Sequence, residues 1–351
     1  MTYIPKPAIV HPGLQRNEIG LTRRDYEGSM TTLCAGCGHD SITAAIVQAF
    51  WELAIPPYRV AKLSGIGCSS KTPAYFLREA HGFNGVHGRM PALVTGANAA
   101  NRDILYIGVS GDGDSLSIGL GQLCHAIRRN VDVLYVLENN GVYGLTKGQF
   151  SASADPGSLS KKGEANTMEA IDGCALALTL GATFVARGFS GDKAQLVPIL
   201  KAGLSHKGFA FVDVISPCVT FNDHEGSTKS YAYTRDKNVE VVQADFIPPA
   251  AAIRADYGPG TVRSVMLHDG SWVQLRKVTE DYDPTDRDRS YQYLRDRHKD
   301  GEVVTGLLYI SPDSKDVHEQ LGTVDTPLTQ VPFEQLCPGS KELDRLQARF
   351  R

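Results

Sequence analysis

Two sets of residues in this chain combine types and spacings that suit chemistry. The first is Gly111-Asp112-Gly113, followed one helix and one strand later by Asn139-Asn140. Glycines let a backbone approach phosphate oxygens with no Cβ in the way. A helix starting near Ser115 would turn unpaired N–H groups and a positive dipole end toward an anion. Asp112 brings a hard carboxylate oxygen and Asn140 an amide oxygen. With a backbone carbonyl near Val142, diphosphate oxygens and a water, they could fill the near-octahedral shell that magnesium prefers. A lone Gly-Asp-Gly is more often an ordinary strand–turn–helix corner; the asparagine at the neighbouring strand end argues for the metal.

The second set is made of cysteines. Cys34-Ala-Gly-Cys37 is a two-residue-spaced pair, Cys68 lies in Gly65-Ile66-Gly67-Cys68-Ser69-Ser70, and Cys218 follows Ser216-Pro217. A Cys-x-x-Cys pair clasps one zinc or one cluster edge, and two more thiolates complete a four-thiolate set. Alone it also fits a redox dithiol, which the lack of a preceding strand disfavours. Cys124 and Cys174 fall in apolar helical stretches and read as small buried hydrophobes. Cys337 has no cysteine neighbour and is set aside. Four loop cysteines remain, the number a [4Fe–4S] cube needs.

The elements that must position these loops alternate. Helices are expected at 42–53 (capped by Asp40 or Ser41), shortly after Pro73, and at 91–100, 115–129, 167–180 and 192–205. Strands are expected at 58–64, 103–109, 131–138, 182–186 and 208–215, with a polar stretch at 148–165. Short β runs joined by helices imply parallel strands with right-handed crossovers, hence a doubly wound, mostly parallel α/β sheet. Ligands of such sheets sit beyond the carboxyl ends of strands, where Cys68, Asp112, Asn140 and Cys218 fall. Residues 1–225 form this unit. Residues 226–351 change character, with a polar, charged stretch at 231–242, a hairpin at 264–278 around Asp269-Gly270, and a strand at 303–310. This extension is expected to contact a partner subunit or finish the sheet edge.

Composition excludes other classes. The chain has 351 residues and a formal net charge of -3, giving no reason to expect nucleic acid or an acidic membrane surface. No apolar run approaches the roughly 20 residues that span a bilayer, and residues 1–12 lack the apolar core of a signal peptide. Seven cysteines in a chain able to bury a full core argue against a disulfide framework. The expected compartment is the cytoplasm.

Gly-Asp-Gly followed by Asn resembles the thiamine diphosphate motif, and both motifs together resemble the β subunit of 2-oxoacid:ferredoxin oxidoreductases. The resemblance rests on 34–39 (CAGCGH), 65–73 (GIGCSSKTP), 87–89 (HGR), 111–114 (GDGD), 139–149 (NNGVYGLTKGQ) and 216–218 (SPC), in order between about residues 30 and 225. It implies one [4Fe–4S] cluster on Cys34, Cys37, Cys68 and Cys218, and magnesium at Asp112, Asn140 and the Val142 carbonyl. It implies cofactor contacts from Ile66, Gly67, Cys68, Ser69, Gly111, Gly113, Asp114, Gly144 and Leu145. His39 departs from the acid of fused, pyruvate-type members, and no ferredoxin-like cysteine run is present. His39, His87 and His224 could touch diphosphate or substrate, an ordinary structural hydrogen bond being the alternative.

The resemblance implies oxidative decarboxylation of a 2-oxo acid, with coenzyme A taking the acyl group and ferredoxin the electrons. The carboxylate that activates thiamine would come from the α subunit, in an αβ or (αβ)2 assembly. Lys71 and Leu145 would face the substrate, and a lysine ammonium could pair with the distal carboxylate of 2-oxoglutarate. The Gly-Leu-Thr-Lys-Gly-Gln stretch at 144–149 resembles the 2-oxoglutarate group more than the pyruvate enzymes. Three alternatives stay open here: a pyruvate or broad 2-oxoacid enzyme, a cluster-free thiamine decarboxylase, and a non-catalytic four-thiolate zinc protein.

Overall fold

The computed structural model describes residues 11–160, 162–247, 262–266, 272–277, 282–337 and 339–350. Its centre is one ten-stranded sheet in the order β10-β11-β9-β12-β7-β8-β4-β3-β1-β2. The strands are β1 (Val60–Ser64), β2 (His81–Asn84), β3 (Leu105–Gly111), β4 (Val133–Asn139), β7 (Phe184–Phe189), β8 (Phe209–Ile215), β9 (Asn238–Ile247), β10 (Val262–Met266), β11 (Trp272–Lys277) and β12 (Val303–Ile310). β5 (Val142–Tyr143) and β6 (Gln149–Phe150) form a separate small antiparallel pair.

The six strands from β2 to β7 are parallel to one another. β1, β4, β7 and β8 are buried along their whole length, which explains their continuous apolar sequences in place of alternation. The helices are α1 (Gly38–Glu52), α2 (Met90–Ala100), α3 (Leu120–Arg128), α4 (Gly173–Thr179), α5 (Lys193–Ser205), α6 (Tyr231–Lys237) and α7 (Arg287–Lys299). α1 packs on α5, α2 on α3 and α4 on α7, each pair closing over part of the sheet. Because β8, β4, β3 and β1 are adjacent, their carboxyl ends bring four loops to one rim: Ser216–Cys218, Asn140, Asp112 and Gly65–Cys68.

Several local expectations are corrected. α1 starts at Gly38 with Cys37 at its N-cap, not at Asp40 or Ser41, because the Cys34–Cys37 turn (Cys37 N to Cys34 O, 3.0 Å) already directs the chain into the helix. The short helix is a 3₁₀ segment at Ser69–Ala74 that contains Pro73. The 115–129 helix divides into a π turn, Gly113–Ile118, and α3. Only Gly173–Thr179 of the 167–180 helix forms, where Asp172 accepts a hydrogen bond from Ala175 N at 3.0 Å. The charged stretch at 231–242 holds α6 and the start of β9, whose Val241 and Val242 are buried. β9, β11 and β10 extend the same sheet beyond β12, which runs antiparallel to β7. The hairpin strands β10 and β11 are present, while Asp269-Gly270 lies outside the described residues.

Candidate active site

Asp112 leaves the end of β3 fully buried. Its Oδ2 accepts from Gly141 N at 2.9 Å, from Ser153 Oγ at 2.6 Å and from the Ser151 hydroxyl. Burial pushes its carboxyl pKa up, and the two serine hydrogen bonds draw it back. Asn140, at the end of the neighbouring strand, is buried as well; its Oδ1 accepts from Val142 N at 3.1 Å and its carbonyl from Asn222 Nδ2 at 2.8 Å. The expected pair therefore meets at one rim, held by serines and an asparagine that the sequence did not single out.

Gly113 opens the π turn, a helical form concentrated at functional sites. A Cβ there would lie 2.5 Å from the Tyr143 ring, and Tyr143 OH donates to the Gly113 carbonyl at 3.0 Å. Only glycine permits that approach, and it closes the β5 segment over the loop. Asp114 spends its carboxylate on protein donors: Ile66 N (3.3 Å), Gly88 N (2.7 Å), Ser110 Oγ (2.6 Å) and the His87 ring at 2.5 Å. It thereby ties three loops together at the cleft. His87 sits in the cleft wall through this bond.

The cleft is lined by Ile66–Ser69, His39, His87, Gly111–Asp114, Glu138, Asn140 and Val142–Thr146. Leu145 lines it and is half exposed; Lys71 does not line it, but its ammonium is near enough to draw the Cys68 thiol pKa down. His224 is exposed and bonds the Glu225 carbonyl at 2.9 Å, away from the cleft lining. His39 is fully buried and stays neutral, its pKa lowered to about 4 by burial, with its ring bonded to the Ser216 hydroxyl.

Glu138 is the main feature the sequence reading missed. It is fully buried, accepts from Thr72 Oγ1 at 3.0 Å, and lies 3.5 Å from the His39 ring. Its Oε1 has no hydrogen-bond partner, and burial raises its pKa well above the carboxylate range. An acid closing an apolar strand, Val133 to Leu137, immediately before Asn139-Asn140 was the available signal. A buried polar atom without a partner costs stability, so this oxygen marks a place where a bound molecule's donor fits.

Cys34, Cys37, Cys68 and Cys218 gather beside the same rim. Gly38 N donates to Pro217 O at 3.3 Å, binding the Cys34–Cys37 turn to the Cys218 loop. A Cβ placed on Gly144 would lie 3.3 Å from Cys68 Sγ and 4.0 Å from Cys218 Sγ, so these two sulfurs flank one point. Burial pushes the Cys37 thiol up to about 12, with Glu138 and Cys218 adding to it. Burial likewise raises Cys68 and Cys218, and Cys34 contributes to both. A positive centre among them would favour the thiolate forms of Cys37, Cys68 and Cys218 that burial disfavours. Among the described residues no three His, Cys, Asp or Glu side chains converge on a point suited to a single metal ion. The remaining thiols stand apart: Cys174 is buried against the Ala186 carbonyl, Cys337 is exposed in the tail, and Cys124 is only half-buried on α3 rather than a core hydrophobe.

The fold and rim define the class. Residues 65–214 match the thiamine pyrophosphate enzyme C-terminal TPP-binding domain, and the chain is a thiamine-diphosphate-binding one. The structure of 2-oxoglutarate:ferredoxin oxidoreductase from Magnetococcus marinus, with 2-oxoglutarate, coenzyme A and succinyl-CoA bound, superposes with a TM-score of 0.70. The two share 30% identity over 89% of this chain and 92% of that one. The 2-oxoacid:ferredoxin oxidoreductase subunit beta of Saccharolobus solfataricus is 43% identical over 60% of this chain and 68% of its own length. The corresponding Sulfolobus subunit is 44% identical over 54% of this chain, and the match spans 63% of that relative's length. The Mycobacterium tuberculosis 2-oxoglutarate oxidoreductase subunit KorB is 41% identical over 54% of this chain and 51% of its own. The chain belongs to the 2-oxoacid:ferredoxin oxidoreductase β-subunit family. No helix among the described residues is long and apolar enough to cross a membrane.

Proposed function

We propose that this chain is the thiamine- and cluster-binding subunit of a 2-oxoglutarate:ferredoxin oxidoreductase. It would interconvert 2-oxoglutarate and coenzyme A with succinyl-CoA and CO2, passing electrons to ferredoxin. The observation that carries this reading is the meeting of Asp112 and Asn140 with four thiols at one rim, Cys68 and Cys218 on strand-end loops and Cys34 and Cys37 in the turn before α1, joined through the Cys68 loop. Asp112 Oδ1, Asn140 Oδ1 and the Val142 carbonyl fit a magnesium ion that holds a diphosphate, an oxygen donor set of the kind that ion takes. Cys34, Cys37, Cys68 and Cys218 fit a [4Fe–4S] cluster, since thiolates are the ligands of iron–sulfur centres.

When bound, thiamine diphosphate supplies the electron sink for decarboxylation and the cluster accepts single electrons. The chain's own residues do the positioning. Gly113 and the Tyr143 hydroxyl shape the diphosphate floor, Asp114 locks the Ile66 and His87 loops around it, and Glu138 Oε1 is left for a donor on the cofactor. Burial raises the Glu138 pKa well above the carboxylate range, the opposite of what the ionised carboxylate of thiamine activation needs.

That carboxylate is assigned to the α subunit in an αβ or (αβ)2 assembly. The cleft holds about 80 Å³, against roughly 300–1,000 Å³ for a ligand pocket, and a partner surface that extends it would suit this reading. Purified without its partner, the chain is expected to show no 2-oxoglutarate-dependent dye reduction, and co-production restores it; robust turnover by the lone chain would contradict this. Open thiols and a cluster also suit a reducing compartment, the cytoplasm.

Lys71 makes no ion pair with any described residue, and it stands beside the Cys68 wall of the cleft. Its assigned role is to meet the distal carboxylate of 2-oxoglutarate, with Leu145 packing the substrate's methylenes. Lys71→Ala is expected to raise KM for 2-oxoglutarate roughly tenfold, the loss of one charge-assisted hydrogen bond, and to leave KM for pyruvate nearly unchanged. Steady-state kinetics with both substrates decide it, and equal effects would move the enzyme to the broad 2-oxoacid class.

A further inference from the structure

Consecutive strand residues point to opposite faces. At the end of β4, Glu138 lines the cofactor cleft and Asn139 lines a different cavity, of about 350 Å³, together with Asp172, Arg187 and Asp213. An unbroken line of polar side-chain contacts at hydrogen-bond distance joins that cavity to Asp112. Arg187 Nη2 donates to Asp172 Oδ1 at 2.6 Å and Arg187 Nε to Asp213 Oδ2 at 3.0 Å. Asn139 Nδ2 donates to Asp213 Oδ1 at 3.1 Å. Asn139 Oδ1 lies 2.9 Å from Ser153 Oγ, which lies 2.6 Å from Asp112 Oδ2. Asn139, Asp213 and Ser153 are all buried.

The hydrogens of this line do not suffice for every contact. Ser153 has a single hydroxyl hydrogen; besides Ser151 Oγ at 3.1 Å, whose own hydrogen goes to Asp112, the two acceptors that compete for it are Asn139 Oδ1 and Asp112 Oδ2. If it serves Asn139, its lone pairs face the Asp112 carboxylate. If it serves Asp112, Asn139 must turn its NH2 toward Ser153 and its oxygen toward residue 213, which must then supply a donor. Asp213, which accepts from Arg187 Nε through Oδ2 and from Asn139 Nδ2 through Oδ1, has none to give in this arrangement. The side chain at 213 therefore sets the direction of Asn139, and Asn139 sets whether Ser153 holds Asp112.

We propose that Asp213 is a positioning residue for the metal site, acting through Asn139 and Ser153 to govern how firmly Asp112 is held for its cation. This rests on reading Asp112 as a magnesium ligand. Partners that orient a metal ligand typically change affinity by roughly 10–100-fold when removed. In Asp213→Asn, Arg187 fixes the amide oxygen and turns the new NH2 toward Asn139. Asn139 then reverses, and Ser153 is freed to donate to Asp112.

The test is a calorimetric titration of thiamine diphosphate into the divalent-stripped complex with the partner subunit, at a series of Mg2+ concentrations. The half-saturating Mg2+ concentration should fall several-fold in Asp213→Asn and rise roughly tenfold in Ser153→Ala. The double variant should behave as Ser153→Ala alone, and thiamine diphosphate affinity at saturating Mg2+ should stay at its unaltered value in all three. Should Asp213→Asn fail to accumulate, Asn139→Leu gives the same reading, because Asn139 then no longer competes with Asp112 for the Ser153 hydrogen. A rise in both single variants, as a general structural role would produce, or no shift on changing Asp213 or Asn139, overturns the proposal. Binding that is independent of Mg2+ in the unaltered complex overturns the reading of Asp112 instead.

Discussion

Asp112→Ala in the assembled complex is expected to abolish measurable thiamine diphosphate binding and, with it, 2-oxoglutarate-dependent dye reduction. The loss should lie well beyond the roughly 10–100-fold that removing an outer partner of a metal ligand costs, because Asp112 is assigned to the ion itself. Its deletion also strands the donors that converge on one oxygen, Ser151, Ser153 and Gly141 N. Isothermal titration with thiamine diphosphate in saturating Mg2+ measures the first effect, and thermal unfolding separates it from loss of fold. Asp112→Asn keeps the shape while removing the negative charge, and it should retain the fold with strongly weakened binding. Unaltered affinity in Asp112→Ala would remove the diphosphate from this rim.

The second large effect concerns Cys68. Cys68→Ser is expected to eliminate the broad visible absorbance of the anaerobically purified complex and to reduce electron transfer to background. Cys68 Sγ flanks the Gly144 position together with Cys218 Sγ, and its loop forms the cleft wall from Ile66 to Ser69. A weaker oxygen ligand at that corner suits iron–sulfur chemistry poorly. Cys124→Ser on α3 is the matched control and should leave the absorbance intact. A spectrum unchanged in Cys68→Ser would place the chromophore elsewhere.

How much of this was legible in the sequence follows from the range of the interactions concerned. Asp112, Asn140, Cys68 and Cys218 stand immediately after short apolar runs, and a strand's carboxyl end is a local property, so their common rim could be inferred. The groups that hold them could not. Ser153 reaches back to Asp112, and Asn222 reaches Asn140, across long stretches of chain that no periodicity connects. Glu138 was hidden because it continues a strand whose apolar run had already explained the segment. Element starts failed where a cap came from the backbone: Cys37 begins α1 through the turn with Cys34, while Asp40 looked the better cap by composition. The C-terminal strands were harder still, since β9 mixes valines with charged residues and takes its place only by pairing with β11 and β12.

Lys71 shows the opposite limit. Its motif suggested the substrate, yet the structure puts it beside the cleft and not among the lining residues. The Lys71→Ala kinetics therefore carry more information than the position of the side chain alone.

The most direct test of the account is the iron, acid-labile sulfide and thiamine diphosphate content of this chain co-purified anaerobically with its partner. Four iron and four sulfide per chain are predicted, as one [4Fe–4S] cube requires, with one thiamine diphosphate that is lost on chelating divalent cations. One zinc in place of iron, or iron without thiamine diphosphate, would contradict it.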